Sequence, residues 1–121
     1  MSYVDGFVLP VPIDKLADYE KMARKAAKIW IEHGALSVRE CVADDVKPGK
    51  TTSFPQAVKL KEGETVVFSY IVYASRKSRD AVMKKVMADP RLKMDDPSSM
   101  PFDGKRMFWG GFKTMIDASA E

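Results

Sequence analysis

Cysteine is almost missing from this chain. Cys41 stands alone among 121 residues, so no intrachain disulfide can form, and a reducing cytoplasm is the expected location. Histidine is equally scarce, with His33 the only one. A lone histidine and a lone cysteine do not build a zinc or haem site in the way several His and Cys ligands would, so metal-dependent chemistry and a cofactor are not expected. Apolar runs fall short of the ~20 residues a membrane-spanning helix needs. The opening MSYVDGF has no basic stretch leading into an apolar one, so no signal peptide is expected. No GxSxG nucleophile elbow occurs, and no phosphate-cradling glycine pattern of the P-loop or Rossmann type. Cys41 has no evident histidine neighbour, which leaves nucleophilic catalysis without support.

What is present describes one globular domain over residues 1–121, with 116–121 expected to fray. The composition is 45% hydrophobic and 31% charged. Net charge is +3, a mild bias that does not by itself indicate nucleic-acid binding. The eight methionines read as adaptable core filler. Glu64–Tyr73, ETVVFSYIVY, is the organising stretch. β-Branched and aromatic residues fill both alternating sets, which marks a strand covered on both faces.

Around it the chain alternates in type. Ser2–Leu9 reads as a first strand, ended by Pro10 and Pro12. Ile13–His33 reads as a long helix whose apolar stripe is Leu16, Tyr19, Ala23, Ala26, Ala27 and Trp30, with Gly34 as the C-terminal stop. Its opposite face carries Lys21, Arg24, Lys25 and Lys28. That stripe is either a solvated exterior or a surface for an anionic partner such as RNA. Ala35–Ala43 is a second strand of edge character. Asp44–Gly63 is a long connection, expected to pack down through Phe54, Val58 and Leu60 and to hold a short helical turn after Pro55. After the third strand, Ser75 caps a helix running to Ala88 with the stripe Val82, Met83, Val86 and Met87. Arg76, Lys77 and Arg79 crowd its first turn, where they either hold an anion or swing into water. Asp89–Gly104 is irregular; Asp95 and Asp96 there are half of a hard-cation site or, in the simpler reading, turn and capping residues. Lys105–Lys113 is the fourth strand, and its Gly110-Gly111 pair implies a bulge or a close backbone approach.

The order β-α-β-β-α-β is the ferredoxin-like arrangement, an α+β fold with a four-stranded antiparallel sheet and two helices on one face. The first and third strands are expected at the centre, as a parallel pair, with the second and fourth at the edges. Pairing small residues with small places Val4, Gly6, Val8, Val67, Ser69, Ile71, Phe108 and Gly110 under the helices. The other face then holds Tyr3, Phe7, Leu9, Val66, Phe68, Tyr70, Val72, Met107 and Trp109. Leaving such a face wet is unfavourable at ~25 cal/mol per Å². A second copy is the expected cover, giving a homodimer that closes as a dimeric α+β barrel.

The blocks YVDGFVLPVP, FPQAVKLKEGETVVFSYIVY, KVMADPR and MPFDGKRMFWGGF resemble the YbaA-like family of small uncharacterised bacterial proteins over nearly the whole chain. The resemblance implies a dimeric α+β barrel similar in architecture to small monooxygenases and isomerases, and it implies no activity. Some relatives are labelled as RNA-associated, yet no RNA-recognition motif occurs here.

Two functional classes stay open. One is a homodimer that binds or transforms a small organic molecule inside the barrel; the other is a non-catalytic module for an anionic partner. For the first, Asp5, Arg39, Tyr70 and Trp109 are the candidate ligand-binding residues: a carboxylate, its cationic partner and an aromatic wall. The alternative role for Asp5 is a structural salt bridge. His33 is either a general base or a favourable charge at its helix C-terminus.

Overall fold

A computed structural model describes residues 1–93 and 100–120. Asp95 and Asp96 lie outside the described residues. The elements are β1 (Tyr3–Pro12), a 3-10 turn (Ile13–Lys15), α1 (Leu16–Glu32), β2 (Ser37–Val42), α2 (Phe54–Ala57), β3 (Glu64–Tyr73), α3 (Arg76–Met87), a second 3-10 turn (Pro90–Leu92) and β4 (Phe108–Lys113). The sheet order is β2-β3-β1-β4, as the split β-α-β pattern predicts. Among the described residues, no helix is long and apolar enough to cross a membrane.

Local chemistry sets the helix ends. Ser75 accepts a hydrogen bond from the Ser78 amide at 3.0 Å and starts α3. Ser53 does the same for α2 through Gln56. Gly34 follows α1 with φ +120°, a conformation that only glycine adopts readily. The predicted stripe of α1 holds: Tyr19 and Ala23 are buried, while Leu16, Ala26, Ala27 and Trp30 are half-buried. In α3, Val82 and Val86 are buried, whereas Met87 is 66% exposed and takes no part.

Three expectations are corrected. The central pair β1–β3 is antiparallel, with Tyr3 opposite Tyr73 and Leu9 opposite Val67. The reversal follows from connectivity: α1 returns the chain so that β2 runs with β1, and β3 then doubles back between them. Second, β1 continues through both prolines, with Pro10 opposite Val66 and Pro12 opposite Glu64. Odd-numbered amides point toward β3, as the Ile13 amide does when it donates to the Gly63 carbonyl at 2.8 Å. The two prolines therefore face the β4 side, where the β1–β4 ladder stops at the Val8–Phe108 pair and needs no donor.

Third, β1 and β4 are turned over relative to the expected faces. Tyr3, Asp5, Phe7, Leu9 and Val11 share the helix face with Val67, Ser69, Ile71 and Tyr73. Trp109 joins them opposite Phe7. Val4, Gly6, Val8, Phe108 and Gly110 lie on the open face. Packing density explains the outcome: the short alanines of α1 leave room, and large sheet residues fill it rather than small ones matching small. One core cluster joins Tyr3, Ile71 and Tyr73 to Val82 and Val86 of α3. Another joins Leu9, Val11 and Val67 to Tyr19 and Ala23 of α1.

The connection from 44 to 63 packs onto one end of the open face. Val58 is fully buried against Val8 and Val66, and Phe54 meets Phe68 edge-on at 6.3 Å. Arg106 clamps it there. Its guanidinium donates to Glu64 at 2.6 and 2.7 Å, to Asp103 at 2.9 Å and to the Lys59 carbonyl at 3.1 Å.

Candidate functional site

The four residues singled out by sequence divide between the two faces of the sheet. Asp5 and Trp109 lie on the helix side, Arg39 and Tyr70 on the open side. They do not form one pocket.

Asp5 is completely buried and fully engaged. Its Oδ2 accepts hydrogen bonds from the Tyr73 hydroxyl at 2.9 Å and from Arg79 Nε at 3.0 Å; its Oδ1 accepts from Arg79 Nη2 at 2.9 Å. Arg79 does not swing into water. Its side chain is 11% exposed, stacked over the rings of Tyr3 and Trp109 at 5.4 and 5.8 Å. Trp109 in turn stacks on Phe7 at 5.8 Å. Burial, then the Asp5 carboxylate, pushes the Tyr73 phenol well above its ordinary range. Hydrogen bonding to Asp5 holds Arg79 more firmly charged. A carboxylate with a bidentate guanidinium and a phenol has little capacity left for a ligand, so this cluster is a structural lock between β1, β3 and α3. Arg79, not Arg39, is the partner of Asp5. The two are 74 residues apart in sequence, and nothing local to either signals the pairing.

His33 also has a structural partner. Its Nε2 lies 2.8 Å from Asp89 Oδ2, joining the end of α1 to the turn after α3. Arg91 donates to the same carboxylate at 2.8 Å and to Glu32 at 2.7 Å. Arg91 first, then His33, holds the Asp89 carboxyl far below the usual carboxylate range. Along the exterior of α1, Arg24 pairs with Glu20 at 3.2 Å. Lys21, Lys25 and Lys28 are solvent-exposed.

On the open face the register makes a pattern that single strands conceal. Arg39 sits opposite Tyr70, Tyr70 opposite Gly6, and Gly6 opposite Gly110. This row crosses all four strands. The row on one side is Ser37, Val72, Val4 and Phe112; on the other it is Cys41, Phe68, Val8 and Phe108. A Cβ added at Gly6 would touch nothing within 4 Å. The two glycines thus floor a trough between ridges of bulkier side chains, with a phenol and a guanidinium at one end. Phe68, Phe108 and Phe112 are 42%, 47% and 64% exposed. Arg39 has no carboxylate partner among the described residues. Met107, expected here, instead packs beside the helix-side core.

The antiparallel sheet in this order, with both long helices on one face, defines a protein of the ferredoxin-like α+β class. Within that class, the chain belongs to the family described as protein of unknown function (DUF1428), which matches residues 2–104. It is 56% identical over 117 residues to the uncharacterized protein YbaA of Escherichia coli (strain K12), covering 97% of this chain and 99% of that one. The YbaA protein of Shigella flexneri is equally similar, at 56% over 117 residues, with the same 97% and 99% coverage. Among solved structures, an uncharacterized NIPSNAP domain protein from Burkholderia xenovorans aligns with TM-score 0.56 at 12% identity, covering 98% of this chain and 99% of that one. A mutant of SnoaB, a cofactor-independent oxygenase from Streptomyces nogalater, aligns with TM-score 0.54 at 12% identity, covering 96% of this chain and 95% of that one. At that identity the likeness is one of fold.

Proposed function

We propose that the chain works as a homodimer joined through its open sheet faces, and that the trough along Arg39, Tyr70, Gly6 and Gly110, roofed by the second copy, receives a small organic molecule. The row of glycines between two apolar ridges carries this reading. Three cross-sheet rows on four strands span roughly 20 Å by 15 Å, about 300 Å² per copy, so a stable interface of ~800 Å² per side draws on contacts beyond these rows as well. Two such faces meeting ridge to ridge leave the glycine floors apart, which makes space for a ligand.

The lining selects the ligand. Arg39 offers a planar fork of donors that suits a carboxylate. Tyr70 adds a hydroxyl, and the bare glycine backbone admits a flat ring. A small aromatic carboxylate has the matching chemistry. Asp5 lies on the other side of the sheet, so the carboxylate singled out by sequence does not reach the trough, and the reading is of a binding site. For the anionic-macromolecule reading, Arg24 is paired with Glu20 while Lys21, Lys25 and Lys28 are exposed, a basic stripe of three lysines.

Sedimentation and a thermal titration with benzoate test the proposal together. The expected results are a dimer at micromolar concentration and a saturable rise in Tm that Arg39→Ala removes. A stable monomer would refute the interface. A dimer indifferent to benzoate would refute this ligand class and leave the interface standing.

A further inference from the structure

After β4 the chain runs on as a segment, 114–120, that belongs to no helix or strand. Its root is fixed. The Thr114 amide donates to the Ser2 carbonyl at 3.1 Å, and the hydroxyls of Ser2 and Thr114 meet at 2.7 Å. Beyond Thr114 the segment makes no backbone hydrogen bond to the rest of the chain among the described residues. Yet it carries two large apolar side chains in succession, with Met115 85% and Ile116 79% exposed. Met115 is not isolated. With Met1, Tyr3 and Phe112 it lines an open concavity of about 920 Å³ where β1 begins and β4 stops. This apolar patch is continuous with the open sheet face, because Phe112 also ends the row Ser37, Val72, Val4 and Phe112.

We propose that residues 114–120 are an arm of the homodimer, with Met115 and Ile116 of each copy packed against the other copy beside the paired open faces. The inference rests on the face-to-face reading above and supplies what that reading lacks. The three cross-sheet rows give only ~300 Å² per copy, where a stable interface needs ~800 Å². A seven-residue arm reaches up to ~20 Å, and at a breadth of ~10 Å it covers ~200 Å². Across a two-fold axis the partner's arm covers as much again on this copy, which brings each side to ~700 Å². Single exposed apolar residues need no partner, but a patch that joins Phe112, Met115 and Ile116 to an unpaired sheet face marks an interface. The sequence TMIDASA holds one acid and no base, so an anionic lipid surface has nothing in the arm to attract it.

Sedimentation equilibrium of the natural chain and of a variant carrying both Met115→Ser and Ile116→Ser tests the arm. The natural chain should be a dimer. The variant should dissociate roughly a hundredfold more readily, because each lost side chain counts twice across the axis. Its circular dichroism should be unchanged, since neither side chain is buried in its own chain. In a dimer mixed from isotope-labelled and unlabelled chains, filtered NOEs should connect the Met115 and Ile116 methyls of one copy to the other. A dimer with the same dissociation constant in the variant, or NOEs confined to one copy, would overturn the arm and leave the paired faces standing. A monomeric natural chain would overturn both. A variant that fails to fold would show that the two side chains pack on their own chain, and that too would overturn the arm.

Discussion

Tyr3 lies across Gly111. A Cβ at Gly111 would overlap the Tyr3 hydroxyl, come within 2.8 Å of its Cε2 and within 3.0 Å of Arg79 Nη2. One position earlier, a Cβ at Gly110 would meet only Phe112, at an ordinary 3.8 Å. The paired glycines therefore serve different ends, one a close approach and the other an open floor. Gly111→Ala should destabilise the fold by about 1–3 kcal/mol, since the ring and the guanidinium above it are both held in place. Gly110→Ala should stay within about 0.5 kcal/mol. Urea unfolding of the two variants gives the comparison, and equal losses would contradict the placement.

Removing one partner of the buried pair under Tyr3 should be severe. Asp5→Ala leaves the Arg79 guanidinium without its carboxylate in a site almost closed to water, and a loss of about 3–5 kcal/mol is expected. Arg79→Lys keeps the charge but loses the two-pronged geometry, so its loss should be intermediate. If Asp5→Asn instead unfolds like the natural chain and only a ligand response disappears, Asp5 is functional and the structural assignment is wrong.

Asp89 predicts an acid dependence. Its folded carboxyl is held below the ordinary value of 3.8 by Arg91, His33 and the Arg91 amide. A depressed folded value means that stability is present above the unfolded value and fades as pH falls below it. Denaturant midpoints measured from about pH 6 to about pH 2 should therefore drop for the natural chain. Asp89→Asn should start lower and fall less, so the two curves converge in acid. Parallel curves would show that Asp89 adds nothing.

Phe112, at 64%, is the most exposed of the phenylalanines on the open face. Phe112→Asp should convert the proposed dimer to a monomer, visible by sedimentation, because a charge facing its own symmetry mate is repelled and desolvated. The single-chain contacts of Phe112 are few, so the monomer should remain folded by circular dichroism. An unchanged sedimentation coefficient would place any self-association elsewhere.

Much of this architecture is legible from local pattern. The stripe of α1, the Ser75 cap, the Gly34 stop and the edge placement of β2 all depend on residues within a few positions of one another. The orientation of β1 is not. Its odd set holds Tyr3, Phe7 and Leu9 and its even set holds Val4, Val8 and Pro10, so both are apolar and alternation cannot say which meets the helices. Long-range register decides, and a one-residue offset reverses every side chain. The same blindness hides Arg79 behind Asp5 and Glu40 beneath Tyr19. Each pair joins elements that meet only after the sheet has formed. Arg39 and Tyr70 are neighbours, as expected, because both sit on the open face in the β2–β3 ladder. Asp5 and Trp109 belong to the opposite face, where alternation alone does not put them.

Pro10 and Pro12 carry one more implication. The part of β1 that overhangs β4 offers no amide hydrogens along its free flank, so a stray chain cannot zip onto it and extend the sheet sideways. Lateral growth into fibres is discouraged at that margin, and the exposed apolar side chains are left to the broad surface, where the proposed pairing of two copies would close on itself.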